Sequence, residues 1–225
     1  MKTYAMGIAL TILFPVLLSF ERRVFYFSKW PAVFVSILPT ATVFIIWDII
    51  AVTRGHWNFS PGHVFGLKLF GLPFEEILFF FCIPFSCIFI LECVSYFVKP
   101  RRVNIPRFIF FSLAIAVVIA GILAWPREYT ATVCIATGFF FAMCGTIHYR
   151  VVNEVNFWIS MLIILIPFAI VNGFLTAIPV VVYNPDHITG IRLGTIPIED
   201  AVYNLVLIGS ALMTYRSITL RSGKQ

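Results

Sequence analysis

Two short acidic pairs stand at the edge of apolar runs in this chain. Glu75-Glu76 lies within GLPFEEILFFF, residues 71–81, and Glu199-Asp200 closes TIPIED, residues 195–200. A carboxyl buried among hydrocarbon keeps its proton at neutral pH, because burial disfavours the anion, and two adjacent acids resist ionising together. A helix N-terminus works the other way and favours the anion. A protonated acid in such a place can add a proton to an alkene. A partner carboxylate can stabilise the resulting cation and later remove a proton. Aromatic faces stabilise a cation as well, and 17% of the residues are Phe, Tyr or Trp.

The bland account of Pro-x-Glu-Glu is a helix start, with proline in the first turn and acids complementing the dipole. Three features weigh against it as the whole explanation. The motif occurs twice. Adjacent residues lie about 100° apart around a helix, so both cannot face one narrow aqueous strip. Phe79, Phe80 and Phe81 follow directly. An acid deep in a bilayer costs about 2.5–3.5 kcal/mol on insertion scales and usually marks function.

Other catalytic patterns are missing from the sequence. No Gly-x-Gly-x-x-Gly marks a dinucleotide site, so neither flavin nor nicotinamide is expected, and no metal site is expected either. Gly66 and Gly71 have phosphate-loop spacing, but Leu72-Pro73 follow in place of Lys-Ser/Thr. No Asp-Asp-x-x-Asp offers to hold magnesium and a diphosphate. His56, His63, His148 and His187 form no His-x-x-His or His-x-x-x-His cluster, which argues against a di-iron centre. Cys82, Cys87, Cys93, Cys134 and Cys144 contain no Cys-x-x-Cys pair and read as small buried hydrophobes.

The elements that must position the acids are membrane helices. Hydrophobic residues make up 60% of the 225 and charged ones 12%, against roughly 25% charged in a soluble domain. Seven apolar runs have the length of a transmembrane helix: about 3–20, 31–51, 73–95, 107–125, 130–147, 157–180 and 197–214. The first lacks an Ala-x-Ala-like cleavage site and is read as a helix. The segments after runs one, three, five and seven hold eleven basic residues (Arg22, Arg23, Lys29, Lys99, Arg101, Arg102, Arg107, Arg150, Arg216, Arg221 and Lys224). The opposite side holds five: Lys2, Arg54, Lys68, Arg127 and Arg192. This asymmetry predicts an N-terminus outside and a C-terminus in the cytoplasm, in a bacterial cytoplasmic membrane. Basic residues at helix ends, rather than along one stripe, argue against nucleic-acid binding.

A shift of 124 residues superimposes two parts of the chain without a gap. Pro73-Phe74-Glu75-Glu76 falls on Pro197-Ile198-Glu199-Asp200, Pro61 on Pro185, His63 on His187 and Gly66 on Gly190. Lys68 falls on Arg192, Phe59 on Tyr183 and Asp48 on Asn172. Helices two and six are then equivalent and run the same way, so the repeats are parallel. The expected fold is all-α and membrane-integral, a single domain of residues 1–225. Its repeats cover about 1–98 and 128–225, with a linking helix in about 99–127. Both acidic pairs fall on one side, across from the basic loops, and a shared cavity between the halves is expected.

At these residues the sequence resembles the integral-membrane lycopene cyclases of the bacterial heterodimeric type and their fused two-repeat forms in archaea and fungi. The resemblance is carried by Asp48, Trp57-Asn58-Phe59, Gly71 to Glu76 with Phe79-Phe80, Asn172 to Thr176, Pro179 to Val181, Tyr183-Asn184, Gly190 to Arg192, and Thr195 to Asp200 with Tyr203. It implies acid-catalysed closure of the ψ-ends of lycopene, a linear C40 hydrocarbon, to β-ionone rings without net redox change. It implies a catalytic acid among Glu75, Glu76, Glu199 and Asp200. It also implies supporting or substrate-binding roles for Asp48, Trp57, Phe59, Phe79, Phe80, Asn172, Tyr183, Arg192 and Tyr203, with Asp48 or Asn172 orienting an acid or a water. The partners implied are a long polyene drawn from the bilayer and membrane lipid; a homo-oligomer is compatible with the sequence.

The same acids would serve cyclisation of another terpenoid or a C50 carotenoid. Two readings of other classes are a seven-helix transporter, which should show helices broken at mid-depth, and a non-catalytic carotenoid-binding protein, which needs no paired acids. Glu92 and Glu154, near the opposite helix ends, read as interfacial anchors. His63 and His187 read as loop hydrogen-bonding groups, and Lys68 and Arg192 as headgroup contacts or neutralising charges.

Overall fold

A computed structural model describes residues 3–222. Lys2 and Lys224, both in the charge count above, lie outside the described residues, as does the side chain of Arg221. Every one of the seven apolar runs is helical. The helices are α1 (Thr3–Leu17), α2 (Trp30–Thr53), α3 (Phe74–Phe97), α4 (Arg107–Leu123), α5 (Glu128–Gly145), a single turn α6 (Tyr149–Val152), α7 (Val155–Ala177) and α8 (Ile198–Ser222). Five apolar stretches, Thr3–Phe20, Tyr26–Thr53, Phe74–Phe97, Glu128–Gly145 and Val155–Ala177, are long and apolar enough to cross a membrane by length and composition. The apolar α4 is shorter, and α8 opens on two acids.

The local causes are visible. Pro31 sits in the first turn of α2, where its missing N–H costs nothing. Pro73 caps α3, and Glu75 and Glu76 occupy that helix's first turn against the positive dipole end. Apolar side chains point both inward and outward. Phe14, Leu17, Phe34, Phe108, Ile115, Phe139 and Ile170 are exposed on the outer helix faces, as lipid-facing residues must be. The core runs through the middle of the bundle, with Ile37, Phe44, Phe80, Ile88, Phe140, Phe157, Ile208 and Tyr215 among its buried members. The linking helix α4 lies along α5 with small residues between them. A Cβ at Gly138 would come within 2.3 Å of Val118 Cγ2, and one at Gly121 within 2.9 Å of Cys134 Cβ, so the two backbones approach more closely than larger residues permit.

The two polar loops have the same construction at the same offset of 124. Strands β1 (Trp57–Phe59) and β4 (Val181–Tyr183) are equivalent positions and pair with each other, antiparallel, with Trp57 opposite Tyr183 and Phe59 opposite Val181. Each loop then forms a tight hairpin: β2 (Lys68–Leu69) with β3 (Leu72–Pro73), and β5 (Arg192–Leu193) with β6 (Ile196–Pro197). The turns need positive φ. The second hairpin uses Gly194 at φ 64°, whereas the first puts Phe70 at φ 54° in the equivalent place and Gly71 at φ 89° beside it. Even the hydrogen bonds into the following helices match, Phe74 N–H to Leu67 O at 2.9 Å and Ile198 N–H to Ile191 O at 3.0 Å.

At the opposite end of the bundle the sequence reading of Glu92 and Glu154 needs correction. Neither is an exposed anchor; both are buried. Glu92 pairs with Lys29 and accepts from Tyr215 Oη at 2.9 Å. Glu154 pairs with Arg216 at 2.6 Å. Carboxylates this far from water persist only when paired and hydrogen-bonded.

Candidate active site

The acidic pairs are built alike, and each pair is split by function of position. The first acid of each turns back to its own loop. Glu75 Oε1 accepts from Phe65 N–H at 2.5 Å, and Glu199 Oε1 accepts from Thr189 N–H at 2.7 Å; Phe65 and Thr189 are again 124 apart. Thr130 Oγ1 adds a second donor to Glu199 Oε1 at 2.7 Å. Each of these acids thus ties the loop before it to the first turn of its helix. The remaining oxygens, Glu75 Oε2 and Glu199 Oε2, are buried and have no partner among the described residues.

The second acid of each pair, rotated by about 100°, faces the bundle interior. Glu76 and Asp200 both line a cavity of about 320 Å³, at the lower end of the roughly 300–1,000 Å³ typical of small-molecule sites. Glu76 Oε2 accepts from Tyr4 Oη. Asp200 accepts from three side chains: Tyr129 Oη to Oδ1 at 2.7 Å, Tyr183 Oη to Oδ2 at 2.6 Å and Asn172 Nδ2 to Oδ2 at 2.9 Å. Asp48, the repeat equivalent of Asn172, supplies a third carboxyl; Trp57 Nε1 donates to its Oδ1 at 2.9 Å, and its Oδ2 is buried without a partner. Asp48, Glu76 and Asp200 lie close enough for Glu76 to interact electrostatically with both of the others.

The rest of the wall is apolar or aromatic. Trp57, Phe59, Phe79, Tyr129, Tyr183 and Tyr203 line the acidic end, where Trp57 meets Tyr129 edge-on at 4.9 Å between ring centroids. Phe14 and Pro15 of α1 and Ile164, Pro167 and Phe168 of α7 continue the lining toward mid-helix. Burial, first of all, holds the phenol of Tyr183 in its protonated form well above its ordinary range, and the nearby Asp200 carboxylate pushes the same way. Tyr183 is therefore a hydrogen-bond donor at any physiological pH.

Of the residues singled out in the sequence, Glu76, Asp200, Asp48, Trp57, Phe59, Phe79, Asn172, Tyr183 and Tyr203 meet at this cavity. Phe80 is buried beside it in the core, edge-on to Phe79 at 5.6 Å between ring centroids. Glu75 and Glu199 stand behind the wall, bonded to their loops. Arg192 is exposed and donates to Thr195 O at 2.7 Å within its own hairpin. Sequence reasoning missed Tyr4 and Tyr129. Each is a tyrosine in the first turn of its helix, a signal available only once those turns were known to meet the acids. It also missed a meeting of histidines. His56 and His187, with no sequence spacing to connect them, meet with tilted rings at 4.8 Å between centroids. His56 is buried, which lowers its pKa below the ordinary imidazole value, although the hydrogen bond to Glu128 opposes the shift.

One family model, described as Lycopene cyclase, matches residues 1–94 and 126–218. The two matched segments contain the two acidic pairs and omit the whole of α4. No curated protein and no solved structure matches.

Proposed function

The chain belongs to the lycopene cyclase family, and from that membership and the cavity we propose that it closes the ψ-ends of lycopene to β-ionone rings, giving β-carotene by way of the one-ringed γ-carotene. One observation carries the reading: carboxyls from both repeats, Glu76 and Asp200, converge with Asp48 on a single aromatic-lined pocket.

The roles follow from the hydrogen bonds. Every oxygen of Asp200 already accepts, and its three donors come from Tyr129, Tyr183 and Asn172. That is the environment of a fixed negative charge, because hydrogen bonds to the charged form favour it. Glu76 receives one donor, on Oε2. Its Oε1 is left to carry a proton into the pocket, so Glu76 is the general acid. Protonation of the terminal double bond gives a tertiary cation. The next double bond attacks it and closes a six-membered ring, moving the charge onto the ring carbon. Loss of a neighbouring proton to a carboxylate ends the cycle with no net change in hydrogen count or oxidation level. The carboxylate of Asp200 and the faces of Trp57, Phe59, Phe79 and Tyr203 stabilise the cation in a site shielded from water. Asp48, held by Trp57, orients the acid or returns its proton.

A pocket of about 320 Å³ takes one end of a C40 chain. The remainder of the polyene would lie along α1 and α7 toward lipid, and a second ring would require the other end to enter in its turn. The proposed setting is a seven-span bundle of two parallel three-helix repeats joined by α4, in a bacterial cytoplasmic membrane, with the N-terminus outside and the C-terminus inside. No flavin or nicotinamide takes part in this scheme. The test is expression of the chain in a bacterium that accumulates lycopene, followed by chromatography of the pigments. Appearance of β-carotene supports the reading. Unchanged lycopene with the protein present in the membrane overturns it, and a product with only one ring would overturn the two-ended reaction.

A further inference from the structure

Directly behind the acidic wall, beyond the end of α2 and at the start of α5, three potential metal ligands from three separate parts of the chain come together. His56 follows α2, Glu128 opens α5, and His187 ends the loop turn Pro185–His187. One ligand atom from each lies within 4.8 Å of the others. His56 Nε2 and Glu128 Oε2 are 3.0 Å apart, close to the separation of neighbouring ligands on an ion whose bonds are about 2.0–2.2 Å. His56 is 2% exposed. Nδ1 of His187 is buried without a partner among the described residues, which is uncommon for a buried polar atom.

We propose that His56, Glu128 and His187 form a binding site for one divalent transition-metal ion of the zinc class. Two imidazoles and one carboxylate are the donor set of borderline ions such as Zn²⁺ and Co²⁺, and a water would complete a four-coordinate shell. None of the three side chains lines the cavity, so the ion does not meet substrate. Its work is mechanical. His56 is adjacent to Trp57, which holds Asp48, and Glu128 is adjacent to Tyr129, which holds Asp200. His187 lies in the loop that brings Tyr183 to Asp200. An ion here would clamp the loop of one repeat to the loop and helix start of the other, fixing the side chains that orient both carboxyls.

The competing account is a hydrogen-bonded histidine beside an ordinary ion pair, since Arg54 Nη1 also reaches Glu128 Oε2, at 3.1 Å. The two accounts give opposite results. The detergent-purified full chain, stripped with chelator, is titrated with Co²⁺ and Zn²⁺; visible Co²⁺ absorption and competition against a zinc-sensitive dye read the binding. The site predicts one ion per chain with a tetrahedral Co²⁺ spectrum. His56→Asn or His187→Asn should weaken binding at least about 100-fold, beyond the 10–100-fold typical of mutations that only support a ligand. His63→Asn, at the repeat equivalent of His187, should bind as the parent does. Arg54→Gln should tighten binding, because it removes a competing cation. No stoichiometric binding by the parent overturns the proposal, and so does binding that the His56 and His187 changes leave intact. Neither readout depends on cyclase activity.

Discussion

In the first half of the molecule the inward acid, Glu76, is held by one side chain, Tyr4; in the second half Asp200 is held by three. The loops that deliver them are nearly superimposable in construction. Their hairpins and the backbone amides bonded by Glu75 and Glu199 recur at the same offset. The halves differ at the cavity. Tyr183 stands where the first half has Phe59, and Asn172 where it has Asp48. The scaffold, fixed by backbone hydrogen bonds, is common to both halves, while the cavity side chains differ and leave Glu76 with one side-chain donor and Asp200 with three. Reversed ion pairs at the far end are a second divergence: α3 carries Glu92 where α8 carries Arg216, and each finds an opposite charge, Lys29 or Glu154.

The comparison can be broken most sharply at the inward acids. Glu76→Gln and Asp200→Asn should each lower cyclisation by about 10²–10⁴-fold, the usual contribution of a positioned acid or base, with protein still present in the membrane by immunoblot. Tyr183→Phe makes the second half resemble the first. It removes one hydrogen bond to a charged group, about 1.5–3 kcal/mol, and should slow turnover on the order of 10–100-fold, read as β-carotene formed per unit of protein. Glu75→Gln and Glu199→Gln should act on the fold instead. Each loses a charged loop cap, and thermal unfolding in detergent should register a cost of about 1–3 kcal/mol while turnover per folded molecule stays near the parent's. Arg192→Gln, on an exposed hairpin, should change stability by no more than about 0.5 kcal/mol and leave the pigment profile as it was.

Much of this arrangement was legible before any coordinates. The run lengths located all seven long helices, because a backbone in lipid must satisfy itself. The 124-residue offset located two equivalent polar loops, each followed by a helix that opens on Pro-x-acid-acid, but not the short hairpins inside them, which depend on the backbone turns at Phe70-Gly71 and Gly194. The four acids were treated as equivalent, yet adjacency on a helix meant that only one of each pair could face the cavity, and loop capping claimed the other. Tyr4, Tyr129 and the His56–Glu128–His187 cluster were not legible. Each depends on which helix ends meet in space, and no spacing along the chain encodes that. Glu92 and Glu154 looked like headgroup contacts from their positions near helix ends; only the packing of α2, α3, α7 and α8 reveals Lys29 and Arg216 beside them.

The most direct test sets the four acids against one another in a lycopene-accumulating host, with pigments quantified against membrane-inserted protein. The account predicts that Glu76→Gln and Asp200→Asn leave lycopene unconverted, whereas Glu75→Gln and Glu199→Gln still form β-carotene in proportion to the folded protein that remains. Near-parental conversion by either inward variant, or complete loss by a well-folded outward one, would contradict it.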